Sequence, residues 1–155
     1  MAVSIKWKPL LLALLIPLAV GGLAGFLTRE SMMVFEMVEK PPLSPPGWLF
    51  PVVWTALYLM MGLASYLVAA SGQPAGDALN IYGIQLAVNF LWPILFFNFR
   101  LFGLSLVWLV LLWVLVLVTL LRFWRISPAA GWLMVPYLLW VTFAAYLNAG
   151  IWILN

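Results

Sequence analysis

Ten tryptophans, ten phenylalanines and five tyrosines stand in a chain of 155 residues that has no histidine and no cysteine. Without cysteine there is no disulfide, no thiolate nucleophile and no thiolate-held metal. Without histidine the commonest metal ligand, the usual haem ligand and the usual general base are missing. No metal site and no acid–base or hydrolytic centre is expected. Aromatic and amide chemistry remains. Trp54, Tyr58, Met61 and Ser65 recur at helical spacing, as do Gln85, Asn89, Trp92 and Phe96, and again Tyr137, Trp140, Ala144 and Asn148. Each set forms one stripe along a helix. Flat apolar walls with a few oriented donors suit a planar aromatic or polycyclic ligand. The competing reading is that Gln85, Asn89 and Asn148 only join helices, by hydrogen bonds worth ~0.6–2 kcal/mol each. Three stripes of one kind point to a pocket.

The elements that carry these stripes are legible from composition. The chain is 67% hydrophobic and 7% charged, with a mean hydropathy of +1.16. A soluble domain of this size has about 25% charged residues. The polar surface needed for a water-soluble fold is absent, and the same figures exclude disorder. Long unbroken apolar runs exclude a β-barrel. The expectation is an all-α integral membrane protein, a bundle of five transmembrane helices forming one domain. The runs cover residues 9–27, 47–70, 78–99, 101–121 and 128–154, each near the ~20 residues that span a bilayer. Short links predict that sequential helices are antiparallel neighbours. The first run also has the basic start, apolar core and small residues of a signal peptide, but its length and its Gly21-x-x-x-Gly25 spacing favour a spanning helix. Four cations on one side against three on the other leave the orientation open. The net charge of +3 comes without a basic cluster, so nucleic acid is not an expected partner.

No Asp, Glu, Lys, Arg or His falls within any run, which argues against a charged-ring channel, a proton-coupled transporter and a pump. Trp7, Trp48, Trp124 and Trp132 lie near run ends and fit interfacial belts, whereas Trp54, Trp92 and Trp140 lie deeper. Pro93 is expected to kink the third run, and Pro51 and Pro136 to act similarly in the second and fifth. Gly83 and Ala87 form a small-x-x-x-small pair for close helix approach, either within the chain or in a homodimer. The fourth run, whose only polar residues are Ser105 and Thr119, is expected to be the most lipid-exposed. The connection 28–46 holds all three Glu residues, Glu30, Glu36 and Glu39, with Met33, Phe35, Met37 and Val38 among them, and ends in Lys40-Pro41-Pro42-Leu43-Ser44-Pro45-Pro46. It reads either as a structured linker or as a lid over a cavity.

The segments Lys40-Pro41-x-x-x-Pro45-Pro46-x-Trp48, Trp54-Thr55-x-Leu57-Tyr58, Tyr82-x-x-Gln85-Leu86-x-x-Asn89-x-x-Trp92-Pro93-x-x-Phe96-Phe97, Pro136-Tyr137-Leu138-x-Trp140 and Leu147-Asn148 stand in this order. Together, over nearly the whole chain, they resemble the tryptophan-rich sensory protein and translocator protein family (TspO/MBR, the peripheral benzodiazepine receptor family). The resemblance implies a five-helix bundle, often homodimeric, with a ligand cavity roofed by the first loop. It implies binding of porphyrins such as protoporphyrin IX, as ligand or substrate, with no cofactor required. It also implies, for some members, light-dependent porphyrin breakdown, which leaves open whether the chain is an enzyme. Trp54 and Trp140 correspond to the pocket tryptophans tied to that photochemistry, and Asn89 to a polar pocket residue. Tyr58, Gln85, Trp92, Tyr137 and Ala144 join the expected site by sharing the stripes.

The sequence departs from the family pattern at Leu43 and at Val34-Phe35, where many members carry tryptophan or Trp-Tyr. No cation follows Tyr146, so dedicated sterol binding is not expected. The rival readings are a transporter of porphyrin or another apolar molecule, and a scaffold acting through protein partners. A prokaryotic plasma membrane is the expected location.

Overall fold

The computed structural model describes residues 4–155. Its helices are α1 (Trp7–Thr28), the short α2 (Met33–Met37), α3 (Leu49–Ala69), α4 (Gly76–Pro93), α5 (Phe102–Ile126) and α6 (Pro128–Leu154). A π-helical turn, Ile94–Asn98, extends α4. Five of these stretches are long and apolar enough to cross a membrane.

Local chemistry explains the breaks. Pro93 has no N–H to donate to the carbonyl of Asn89. The ladder widens beyond it, and the Phe99 N–H donates to Ile94 O at 3.1 Å, five residues back. Arg100 then takes a positive φ of 54°, which turns the chain sharply into α5. Ser127 caps α6 by accepting from the Ala130 N–H, with Pro128 in the first turn. Pro51 also sits in the first turn of α3, where no helical bond is lost, and α6 runs unbroken through Pro136. Of the three prolines expected to distort helices, only Pro93 is followed by a break in the α-helical pattern.

Three other expectations need correction. First, the fourth spanning helix does not end at Leu121. It continues to Ile126, because Phe123 is fully buried and Trp124 packs over Gly131 and against Trp132. Trp124 is therefore a packing residue, while Trp7, Trp48 and Trp132 are each more than 60% exposed. Second, the most exposed spanning helix is α1, with three buried residues against seven in α5. Low polarity misled here. The Thr119 hydroxyl donates to Leu115 O in its own helix, and Trp108 and Trp113 tie α5 to Val88 O and Thr142 Oγ1.

Third, not all sequential helices are neighbours. The principal contacts run α1–α3, α3–α6, α6–α5, α5–α4 and α4–α1, a closed ring. α3 and α4 flank α1 and barely touch each other. The link between them can reach about 20 Å when extended, twice the usual 8–10 Å spacing of packed helices. It imposes no adjacency.

α1 and α3 approach each other closely at Gly62, where a Cβ would lie 2.7 Å from Ala13 O. Gly62→Leu is expected to cost about 1–3 kcal/mol by overpacking. A fall in the thermal midpoint of the purified protein in detergent checks this, with Gly22→Ala, which meets no neighbouring atom and favours the helix, as the control whose midpoint does not fall.

Candidate functional site

At the end of the ring that carries the 28–46 connection, α1, α3, α4 and α6 do not fill the space between them. They enclose a cavity of about 370 Å³, within the ~300–1,000 Å³ range of ligand pockets. α3 contributes Phe50, Trp54 and Tyr58. α4 and its π turn contribute Asn89, Trp92, Phe96 and Phe97. α6 contributes Ala144, Leu147 and Asn148, and α1 contributes Leu18, Gly21, Gly22 and Gly25. No Asp, Glu, Lys or Arg side chain lines it.

The rings are ordered by one another. Trp54 stacks on Tyr58 with centroids 5.7 Å apart, and meets Tyr137 and Trp140 edge-on at 6.2 and 6.5 Å. Trp92 stacks on Phe96 at 5.2 Å. Behind them runs a buried polar chain. The Tyr58 hydroxyl donates to Asn89 Oδ1 (2.9 Å), Asn89 Nδ2 donates to the Tyr137 hydroxyl (2.6 Å), and that hydroxyl donates to Gln85 Oε1 (2.7 Å). A second set links Trp92 Nε1 to Asn148 Oδ1 at 3.1 Å and Asn148 Nδ2 to Phe102 O at 2.8 Å. In hydrocarbon each of these groups needs a protein partner, so the bonds hold α3, α4, α5 and α6 in one register.

Of the eight residues expected at the site, Trp54, Tyr58, Asn89, Trp92 and Ala144 line the cavity. Gln85, Tyr137 and Trp140 stand behind that wall, where they brace Asn89 and Trp54. Gly83 and Ala87 are exposed on α4, and nothing lies within 4 Å of a Cβ at Gly83, so they make no close approach within the chain. The sequence reading missed the whole contribution of α1. Its one signal, the glycine cluster, is equally a signal of tight helix packing.

Met32 and Phe35 of the 28–46 connection close one end of the cavity. In α2, Val34 and Phe35 turn inward, while Met33 and Met37 are each 67% exposed. Phe35 packs edge-on against Phe50 at 4.9 Å. The proline stretch lies across α6. The Tyr146 hydroxyl donates to Pro42 O (2.6 Å), Pro41 occupies the space a Cβ at Gly150 would take, and Asn155 exchanges two hydrogen bonds with the Glu39 backbone (3.1 and 2.9 Å). Leu43 has φ 71° and is 84% exposed, so it adds nothing to the roof.

These features define a multi-pass integral membrane protein with an aromatic cavity inside the bilayer, closed at one end by a loop. The comparisons name its family. The TspO/MBR family profile matches residues 13–153. The chain is 41% identical over 152 residues to the tryptophan-rich protein TspO of Chlorobaculum tepidum, covering 94% of this chain and 96% of that one. It is 36% identical to the TspO of Archaeoglobus fulgidus, covering 94% and 96%. It is also 36% identical to the translocator protein of Ovis aries, covering 94% and 89%. The chain belongs to the TspO/MBR family.

Tyr137 holds two members of the polar chain and Tyr58 one. Tyr137→Phe is expected to cost about 1–3 kcal/mol, because Asn89 and Gln85 lose a partner while buried. Tyr58→Phe is expected to cost less. Thermal unfolding of the two variants beside the parent checks the order.

Proposed function

We propose that this chain binds flat, apolar ligands of the porphyrin class within the membrane and acts as a binding or sensing protein. The observation that carries the reading is the cavity wall itself, with Trp54 stacked on Tyr58, Trp92 on Phe96, and Asn89 held between them. Ring faces are the natural contact for a macrocycle. The polar groups at the wall are largely engaged already: Tyr58 with Asn89, and Trp92 with Asn148. Binding then depends on stacking and shape, with Asn89 orienting the ligand. Since the chain has no histidine or cysteine, a metal-free porphyrin suits the site better than haem.

The finer part of the reading is photochemical. A bound porphyrin excited in air passes energy to dioxygen, and Trp54 is the electron-rich ring placed to react with the oxygen species formed. Trp140 acts through its contact with Trp54. Pairing of two copies through the exposed Gly83 and Ala87 belongs to the same reading, as does a prokaryotic plasma membrane as the location. A transporter would move porphyrin across sealed vesicles, and a scaffold would show no saturable small-molecule binding.

Dark titration with protoporphyrin IX, followed by tryptophan fluorescence, tests the assignment. Saturable quenching is expected, weakened at least tenfold by Trp54→Ala and less than threefold by Trp140→Ala, which stands behind the wall. Equal binding by the parent and the Trp54→Ala, Trp140→Ala double variant would overturn the site. Loss of the porphyrin absorption bands under light, beyond that of free porphyrin in detergent, checks the photochemical part.

A second prediction concerns charge. The cavity has no cation of its own, and Lys40 Nζ lies 5.0 Å from the Phe35 ring centroid at its closed end. Lys40→Ala is expected to weaken protoporphyrin IX a few-fold, the scale of an exposed ion pair of ~0–1 kcal/mol. It should leave the dimethyl ester, which has no carboxylates, unchanged in the same titration.

A further inference from the structure

We propose that the cavity fills sideways, from the bilayer, through a gap between α1 and α3, and that the loop above it is a fixed cover. The proposal rests on the cavity being a ligand site, and not on which ligand it takes.

On the part of their length remote from the loop α1 and α3 are in close contact: Gly62 meets the Ala13 carbonyl, and the Tyr58 ring fills the place of a Cβ at Gly21. Nearer the loop such contact is missing at two glycines of α1: a Cβ added at Gly22 or Gly25 meets nothing within 4 Å. On the facing helix, Pro51 and Thr55 are exposed. These four residues line the cavity and are exposed, whereas Tyr58, Asn89 and Ala144 of the same wall are buried, so together they mark an opening.

The depth and chemistry of the gap fit entry from lipid. Gly22 and Gly25 lie about 5–9 Å inside the end of α1 at 1.5 Å per residue, and Pro51 and Thr55 lie at a similar depth in α3. Both sides of the gap are therefore on the loop side of the hydrocarbon. The rim offers no ionisable group. Its one hydroxyl, Thr55 Oγ1, already donates to Pro51 O at 2.7 Å. An apolar molecule dissolved in the leaflet meets no group that must first give up a partner.

The loop, by contrast, is fastened. Tyr146 and Asn155 hold its backbone by three hydrogen bonds, and Pro41 sits against Gly150. The loop end of α1 is tied away from α3, by Asn98 Nδ2 donating to Leu27 O at 3.2 Å. Among the described residues no hydrogen bond joins α1 to α3 at that end.

The absence of native cysteine makes a ligand-free test direct. Ala144 lines the cavity and is 5% exposed, so Ala144→Cys places one thiol inside it. In liposomes this variant is treated with a bilayer-partitioning pyrenyl maleimide or with a membrane-impermeant sulfonated maleimide. The same background also receives Gly22→Leu with Gly25→Leu to plug the gap, Gly25→Leu alone, or Tyr146→Phe with Asn155→Ala to loosen the loop. Circular dichroism and a single gel-filtration peak establish that each variant is folded.

The expected result is labelling by the pyrenyl reagent alone, slowed at least tenfold by the double plug, several-fold by the single one, and less than twofold by loosening the loop. No labelling of Ala144→Cys by the pyrenyl reagent, or an unchanged rate in the plugged variants, would overturn the proposal. So would rapid labelling by the sulfonated reagent once the loop is loosened. A parallel arm follows transfer of protoporphyrin IX from donor vesicles in the dark. If porphyrin shows no saturable binding while the maleimide arm behaves as expected, the porphyrin reading falls and lateral entry stands.

Discussion

Inside a bilayer a polar group has no water to fall back on, and this constraint organises the bundle. Tyr58, Asn89, Tyr137 and Gln85 come from three helices and are joined in a single chain of hydrogen bonds, at whose end the buried Gln85 Nε2 has no partner. A slip of any of the three helices by one residue would break at least one of these bonds and leave its partners unpaired in a medium of low dielectric. Apolar packing tolerates such slips far better, because lipid tails and leucine side chains attract each other about equally. The polar chain therefore sets the register, and the register sets which rings face the cavity.

The cavity follows from what that register leaves unfilled. α1 meets α3 through Gly21 and Gly62, where the helices approach closely, and then runs past it with Gly22 and Gly25 facing open space. Glycines thus serve two ends. Gly62 of α3 admits the Ala13 backbone and Gly21 of α1 makes room for the Tyr58 ring, while Gly22 and Gly25, nearer the loop, leave a void. The void persists because the rings around it brace one another. Trp54 is held by Tyr58, Tyr137 and Trp140, and Trp92 by Phe96, Phe97 and Asn148. Interlocked in this way, the rings do not collapse into the space.

The loop shows how a stretch without a spanning helix becomes rigid. Its prolines restrict the backbone, and its carbonyls and amides find partners at Tyr146 of α6 and at Asn155, which follows it. Neither residue belongs to an aromatic or amide stripe that faces the cavity. Their role depends on a contact more than a hundred positions apart in the chain, and no spacing rule could report it.

The five spanning segments were legible from the residues alone, because hydrocarbon solvation acts on each side chain separately; their ends were less so, since Lys8, Asp77, Arg122 and Arg125 fall inside the helices, near their ends. The stripes put Trp54, Tyr58, Asn89, Trp92 and Ala144 on helix faces that line the cavity, because helical periodicity is local. The order of helices around the ring was not legible, since the link between α3 and α4 is long enough to permit several orders. Nor was the division between Trp54 at the wall and Trp140 behind it, which depends on how two helices are rotated against each other. The part played by Gly22 and Gly25 could not be read either. A glycine pair looks the same in sequence whether a partner helix presses on it or empty space adjoins it. Composition and periodicity determined a five-helix membrane protein with aromatic and amide faces. Only the tertiary structure decided where those faces meet, because a meeting point depends on contacts between residues far apart in the chain.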